Sequence, residues 1–212
     1  LEMFPGVVFN DDESDDILVR GGHPIENLFL VDGIEVPNIN HISTLASTGG
    51  LVSMIDTSVL QKIDLLTGGY DARYDERLSS VVDIHTREAD GIGKHGDLDA
   101  GFVGVGGSFD APLAHGGAFL ISAHRSLLNL FTDDIGLDGV PIYTNAFGRA
   151  RINLTPKDEM SVLSLNGIDS INIHPCSGDW FETNTINTQY SGWRTTNGVR
   201  WQHIYSGKSV GI

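Results

Sequence analysis

Residues 61–88 read QKIDLLTGGYDARYDERLSSVVDIHTRE, and this stretch decides the fold. Two short runs, KIDLL and SVVDI, alternate apolar and polar positions as half-buried strands do. Between them lies a polar stretch that opens with Gly68-Gly69 and carries Arg73 and Arg77. Four acids, Asp71, Asp75, Glu76 and Asp83, lie in the same few residues. A surface hairpin accounts for the strands alone. A domain that works inside a water-filled wall accounts for the charges as well.

Similar elements lie N-terminal to this stretch. ILVR at 17–20 runs into a Gly21-Gly22 turn, LFLVDG at 28–33 ends at a turn glycine, and IEV at 34–36 stops at Pro37. MIDTSVLQ at 54–61 reads as one or two helical turns, with Asp56 or Ser53 able to cap it. Strands mixed with a helix predict a small α+β domain over residues 1–92. In it, 17–20, 28–32, 62–66 and 80–86 form one mixed sheet with the 54–61 helix packed on it. Ile17, Leu28, Leu30, Ile63, Leu65, Val82 and Ile84 are its expected core.

Beyond residue 96 the pattern changes. Glycine becomes frequent and alternation takes over: Leu98, Ala100 and Phe102 share a face, as do Phe119, Ile121 and Ala123. Ala146, Ala150, Ile152 and Leu154 stand opposite Arg149, Arg151 and Asn153, and Val199, Trp201, His203 and Tyr205 stand opposite Arg200 and Gln202. Segments of about ten alternating residues suit either a membrane β-barrel or a one-sided soluble sheet. The links separate the two. LAHGG (113–117), TPKDE (155–159) and SGKS (206–209) are tight turns, whereas 126–143 and 169–185 are long, with one further short link near GVGG at 104–107. Short and long links thus alternate, as in outer-membrane barrels.

Composition removes other classes. The net charge is −15, with 17 acids against 5 bases in residues 1–90, so nucleic acid is not an expected partner. Cys176 is the single cysteine, which excludes an internal disulfide. GFVGVGGS at 101–108 lacks the strand–turn–helix setting of a phosphate loop. His174 with Cys176 lacks further ligands, and the acidic runs DDESDD and TDDIGLDG lack EF-hand spacing. No nucleophile–base or carboxylate pair can be placed. Neither an enzyme, a cofactor nor a resident metal is expected.

VRGG at 19–22, LFLVDGIEVPN at 28–38 and IDLLTGGYDARYDERLSSVVDIHTRE at 63–88 resemble, in order and spacing, the plug domain of TonB-dependent outer-membrane transporters. Asp75 and Ser79-Ser80 depart from glycines common in that family. The resemblance implies a bacterial outer-membrane protein that takes up a scarce nutrient (a metal chelate, vitamin or glycan). Its partners would be the TonB energy-coupling protein, a small-molecule or glycan ligand and the lipid bilayer. A plug motif of Arg20, Gly21, Gly22, Asp32, Gly33, Gly68, Gly69, Arg73 and Arg77 follows, with the arginines facing acids of the plug or of the wall. Arginine's planar fork suits that role. The other reading of the same residues is a soluble secreted β-rich binding or adhesion module.

Residues 93–212 are expected to supply six or seven barrel strands. Such a number cannot enclose a plug, since a plugged lumen takes about 22 strands, and the chain starts inside the plug at FPGV. A fragment of a transporter is therefore expected. If the first strand runs outward, both long loops lie outside the cell. Asp133, Asp134, Trp180 and Cys176 then face the ligand.

Overall fold

The computed structural model describes residues 7–11, 14–43, 50, 52–69, 71, 74, 78–89, 92–130, 139–173, 188–206 and 209–211. Two hairpin strands, β1 (Val7–Asp11) and β2 (Ser14–Val19), precede β3 (Asn27–Val31), β4 (Ile34–Glu35), β5 (Asn40–His41), β6 (Val52–Ser53), β7 (Leu60–Leu66) and β8 (Ser80–Thr86). A second set follows: β9 (His95–Ala100), β10 (Gly104–Pro112), β11 (Ala118–Ser126), β12 (Gly139–Thr155), β13 (Asp158–Ile173), β14 (Thr188–Ser206) and β15 (Ser209–Gly211).

The N-terminal sheet has the order β4-β3-β8-β7. β3 and β8 run parallel, Phe29 opposite Val82, while the other pairs are antiparallel, so the sheet is mixed as expected. A two-residue Asp32-Gly33 turn joins β3 to β4, with φ of 51° and 79°, the left-handed pair that such a hairpin requires. β4 and β8 fill both edges of β3, and residues 17–20 are not in this sheet. Instead β2 pairs with β1, Ile17 opposite Phe9, and is tied to the sheet through Asn27 Nδ2, which donates to the Ile17 carbonyl at 2.7 Å.

The expected helix at 54–61 is absent. One 3-10 turn, Thr57–Val59, occupies its middle, capped by Asp56, whose Oδ1 accepts from Ser58 N at 2.7 Å; Leu60 already begins β7. Met54, Ile55 and Val59 all point into the core, and that apolar spacing imitated a helical stripe.

The seven C-terminal strands form one antiparallel sheet in sequence order, here termed the wall. GVGG is not a link: Gly104–Pro112 is a continuous strand, and residues 101–103 make the turn. The antiparallel order puts the C-terminal ends of β9, β11 and β13 at one end of the wall and those of β10, β12 and β14 at the other. Among the described residues no helix is long and apolar enough to cross a membrane.

The two faces of the wall differ. Outward stand Ile121, Ile168, Trp193, Val199, Trp201 and Tyr205, with Trp193 74% and Trp201 55% exposed. Four polar groups on this face satisfy one another in a closed ring across β13 and β14. Ser164 Oγ donates to Asn197 Oδ1 (2.7 Å), Asn197 Nδ2 to Thr195 Oγ1 (3.1 Å), Thr195 Oγ1 to Asn166 Oδ1 (2.6 Å) and Asn166 Nδ2 to Ser164 Oγ (2.9 Å). Inward, Leu120, Phe147, Leu163 and Leu165 join Phe29, Val31, Val36, Met54, Val82 and Ile84 in a single core. The other side of the N-terminal sheet has a smaller core of Leu28, Leu30 and Val81. Burial on both sides explains why all five residues of β3 are buried, where a period-two reading selects only alternate ones. Of the expected core, Ile17, Leu28, Leu30, Val82 and Ile84 are buried, and Ile63 and Leu65 pack against it half-buried.

Candidate functional site

The boundary between the N-terminal body and the wall carries the polar chemistry of the molecule. At one end, Asp32 closes the β3–β4 turn and accepts from Thr86 N (3.0 Å) and Thr86 Oγ1 (2.6 Å). Arg149 of β12 lies over the pair, 3.5 Å from Asp32 Oδ1 and donating to the Thr86 carbonyl at 3.3 Å. Its second nitrogen reaches Glu88 at 3.3 Å, and Arg151 bonds the other Glu88 oxygen at 2.8 Å. Period two along β12 places both arginines on the inward face.

Arg87 forms the second fastening. Its Nη1 donates to Asp110 Oδ1 of β10 at 2.6 Å, Nη2 to Ser108 Oγ at 3.2 Å and Nε to the Ser58 carbonyl at 3.0 Å. His95 Nδ1 lies 3.3 Å from the other Asp110 oxygen. Charge-assisted bonds of this kind are about twice as strong as neutral ones.

The third centres on Asp169 of β13. Its Oδ2 lies 3.1 Å from His41 Nδ1, Ile42 N and Arg194 Nη1. Arg194 also donates to the Asn40 carbonyl (2.8 Å), the Ser43 carbonyl (3.3 Å) and Tyr190 Oη (2.8 Å). Burial pushes the His41 pKa below its usual value, an effect that Asp169 opposes. The neutral ring donates Nδ1–H to Asp169 and leaves Nε2 as a bare acceptor without a partner.

Steric notches complete the boundary. A side chain at Gly198 would put its Cβ 2.6 Å from Ile34, and one at Gly167 would meet Met54 Sδ at 2.5 Å. Each glycine therefore admits an N-terminal side chain against bare wall backbone.

The residues expected from sequence fall unevenly around this boundary. Arg20 and Gly21 form a left-handed turn with φ of 51° and 78°, and Gly22 lies against the Ser79 side chain. Asp32 and Gly33 sit at the Arg149 fastening, with Arg200 Nη1 3.5 Å from where a Gly33 Cβ would be. Gly68 and Gly69 take positive φ and are exposed. Arg73, Arg77, Asp133, Asp134, Trp180 and Cys176 lie outside the described residues. The sequence reading missed Arg87, Asp110, Asp169, Arg194 and His41. For Asp110, Asp169, Arg194 and His41 only a position on a strand carried a signal, and Arg87 lies just beyond the end of β8. The direction of the pairing is also mixed: wall Arg149 and Arg194 meet an acid or carbonyls of the body, whereas Arg87, His41 and the Ile42 amide of the body meet the wall acids Asp110 and Asp169.

Compared with known proteins, residues 1–82 match the family described as TonB-dependent Receptor Plug Domain. Residues 1–82 are the plug of a TonB-dependent receptor. A search among curated proteins by sequence finds no match. Among solved structures, a mutant ferric enterobactin receptor of Pseudomonas aeruginosa in complex with enterobactin is similar at 16% identity and TM-score 0.65, over 95% of this chain and 35% of that one. The siderophore receptor PirA of Acinetobacter baumannii is similar at 17% and 0.67, over 96% and 34%. P. aeruginosa FpvA bound to heterologous pyoverdines is similar at 12% and 0.58, over 97% and 29%. The chain thus spans about a third of the length of these receptors. The fold is that of a plug seated on antiparallel barrel strands, in a bacterial outer-membrane protein. The family is one of receptors, not of enzymes.

Proposed function

We propose that this chain, with plug at 1–92 and first barrel strands at 93–212, works within a receptor that captures a scarce nutrient outside the cell. The plug then yields to a pull from TonB and opens the lumen. The observation that carries this reading is the fastening of plug to wall. Arg87–Asp110, Arg149–Asp32 and His41–Asp169 are directional polar contacts, which release over short displacements, set around an apolar seat. A metal chelate is the favoured nutrient, because the similar proteins are a ferric enterobactin receptor, a siderophore receptor and FpvA bound to pyoverdines. Asp133, Asp134 and Trp180 belong to the two long links and are the proposed ligand-facing residues. The soluble adhesion module is disfavoured by the outward row of Ile168, Trp193, Val199, Trp201 and Tyr205, a surface that suits lipid and its interfaces.

Uptake of radioactive iron, presented as catecholate and hydroxamate chelates, tests the proposal. Cells lacking the receptor should lose accumulation of one chelate class, and the full-length gene should restore it only when TonB is present. Equal accumulation with and without the receptor, for chelates, vitamins and glycans alike, would overturn it.

A further inference from the structure

His124 of β11 has no hydrogen-bond partner at Nδ1, and that atom is buried. Two carboxylates nevertheless approach it: Asp56 Oδ2 of the plug at 3.7 Å and Asp99 Oδ2 of β9 at 3.8 Å. All three potential ligand atoms lie within 4.8 Å of one another. The two distances to the ring are too long for hydrogen bonds, and two carboxylates within 4.8 Å of each other do not share a site comfortably without a positive charge. They suit a cation between them. Around a tetrahedral centre, the two nitrogen–oxygen separations of 3.7 and 3.8 Å correspond to ligand distances of about 2.3 Å, close to the zinc distances of about 2.0–2.2 Å for nitrogen and oxygen donors.

The surroundings are shaped for the ring and its neighbours. The facing strand β10 carries Gly104 and Gly106, where an added Cβ would fall 2.5 Å from His124 Nε2 and 2.6 Å from Nδ1. The same Gly106 Cβ would lie 3.1 Å from Asp99 Oδ1. The Tyr143 ring stacks on His124, with centroids 6.1 Å apart and planes 10° from parallel. Asp56 is held from behind: its Oδ1 caps Ser58 N, which leaves Oδ2 aimed at the imidazole. Metal-binding carboxylates are oriented by such outer hydrogen bonds.

We propose that Asp56, Asp99 and His124 bind a first-row divalent cation, completed by water, that joins plug to wall. One imidazole with two carboxylates favours zinc and its neighbours over calcium or magnesium, which take oxygen donors alone. Because Asp56 belongs to the plug and the other two ligands to β9 and β11, the full donor set exists only while the plug is seated. The cation would therefore hold the closed state. Sequence spacing gave no sign of it, since its ligands come from three separate elements.

The test uses the full-length receptor, purified in detergent, stripped with chelator and titrated with Zn²⁺. One equivalent should bind saturably to the wild type, and Co²⁺ in its place should give visible absorption bands. Asp99→Asn, an isosteric change at an exposed side chain, and His124→Gln should each weaken binding at least about tenfold and abolish the cobalt bands. His203→Gln, at the separate His203–Asp158 pair, should bind as the wild type does. Absence of saturable binding in the wild type overturns the proposal. So does binding that survives unchanged in Asp99→Asn and His124→Gln.

Discussion

Arg87 of the plug and Asp110 of the wall meet at 2.6 Å, and the Asp110 side chain is 1% exposed. A carboxylate so deeply placed depends on its partner. Arg87→Ala should therefore destabilise the full receptor by about 3–5 kcal/mol, the usual consequence of orphaning a buried charge. Arg87→Ala with Asp110→Ala should cost less than Arg87→Ala alone, because no charge is stranded. Thermal unfolding in detergent of the two single variants and the double one measures this coupling. A double variant less stable than Arg87→Ala would show that Asp110 is satisfied by other groups.

The Arg149 fastening separates a buried contribution from an exposed one. Asp32 accepts two hydrogen bonds from Thr86 and faces Arg149, whereas the Glu88 side chain is 52% exposed. Asp32→Ala should cost about 1–3 kcal/mol, with Thr86 left unpaired, while Glu88→Ala should cost under about 1 kcal/mol. The same unfolding assay ranks them. Equal losses would contradict the assignment of Asp32 as the organising acid.

Some of this was legible in the sequence and some was not, for physical reasons. The Asp32-Gly33 turn was readable because a two-residue hairpin needs left-handed backbone there. The inward position of Arg149 and Arg151 followed from period two. Their targets did not, since Thr86 and Glu88 lie more than sixty residues away in sequence. Gly104, Gly106 and Gly107 resembled a turn, although steric crowding by His124 and Leu98 puts them inside a strand. Burial of Phe29, Val31 and Val81 was hidden by assuming that the plug sheet has a wet side. The inward Phe147 was hidden by assuming a uniformly polar wall.

Acid should loosen the His41 contact. Burial favours the neutral ring, so the unfolded chain takes up the proton more readily than the folded one. Stability from this site is complete above about pH 6.5, the ordinary histidine value, and declines as pH falls through the depressed folded value. Protection of the amides of residues 40–42 of the full receptor, measured against their intrinsic exchange rates at each pH, should fall between pH 7.5 and 5.5. His41→Gln should flatten that dependence. An unchanged pH profile in His41→Gln would assign the effect to another group.

The glycine notches predict opposite outcomes at two positions. Gly198→Val drives a side chain into Ile34, and such overpacking costs about 1–3 kcal/mol; the plug should shift and the cell should admit a bulky antibiotic. Gly148→Ala should be tolerated, since the nearest atom, Ile121 Cγ2, is 4.0 Å away. Growth on that antibiotic reads both. Equal permeability in the two variants would show that Ile34 does not seat in the wall.

The ring of Ser164, Asn166, Thr195 and Asn197 bears on how the wall could be taken apart. Every one of its four bonds joins side chains on a face bordered by Ile168, Trp193, Val199 and Trp201, where hydrocarbon offers no substitute partner. Peeling β14 from β13 in the bilayer would strand these four groups together with the backbone ladder of sixteen paired positions. Under mechanical force the two strands should therefore leave the membrane as one hairpin, in a single rupture event. Replacing Asn166 and Asn197 by valine would remove the side-chain share of that obligation and leave the backbone ladder alone to hold the pair, so the single rupture should persist at a lower force.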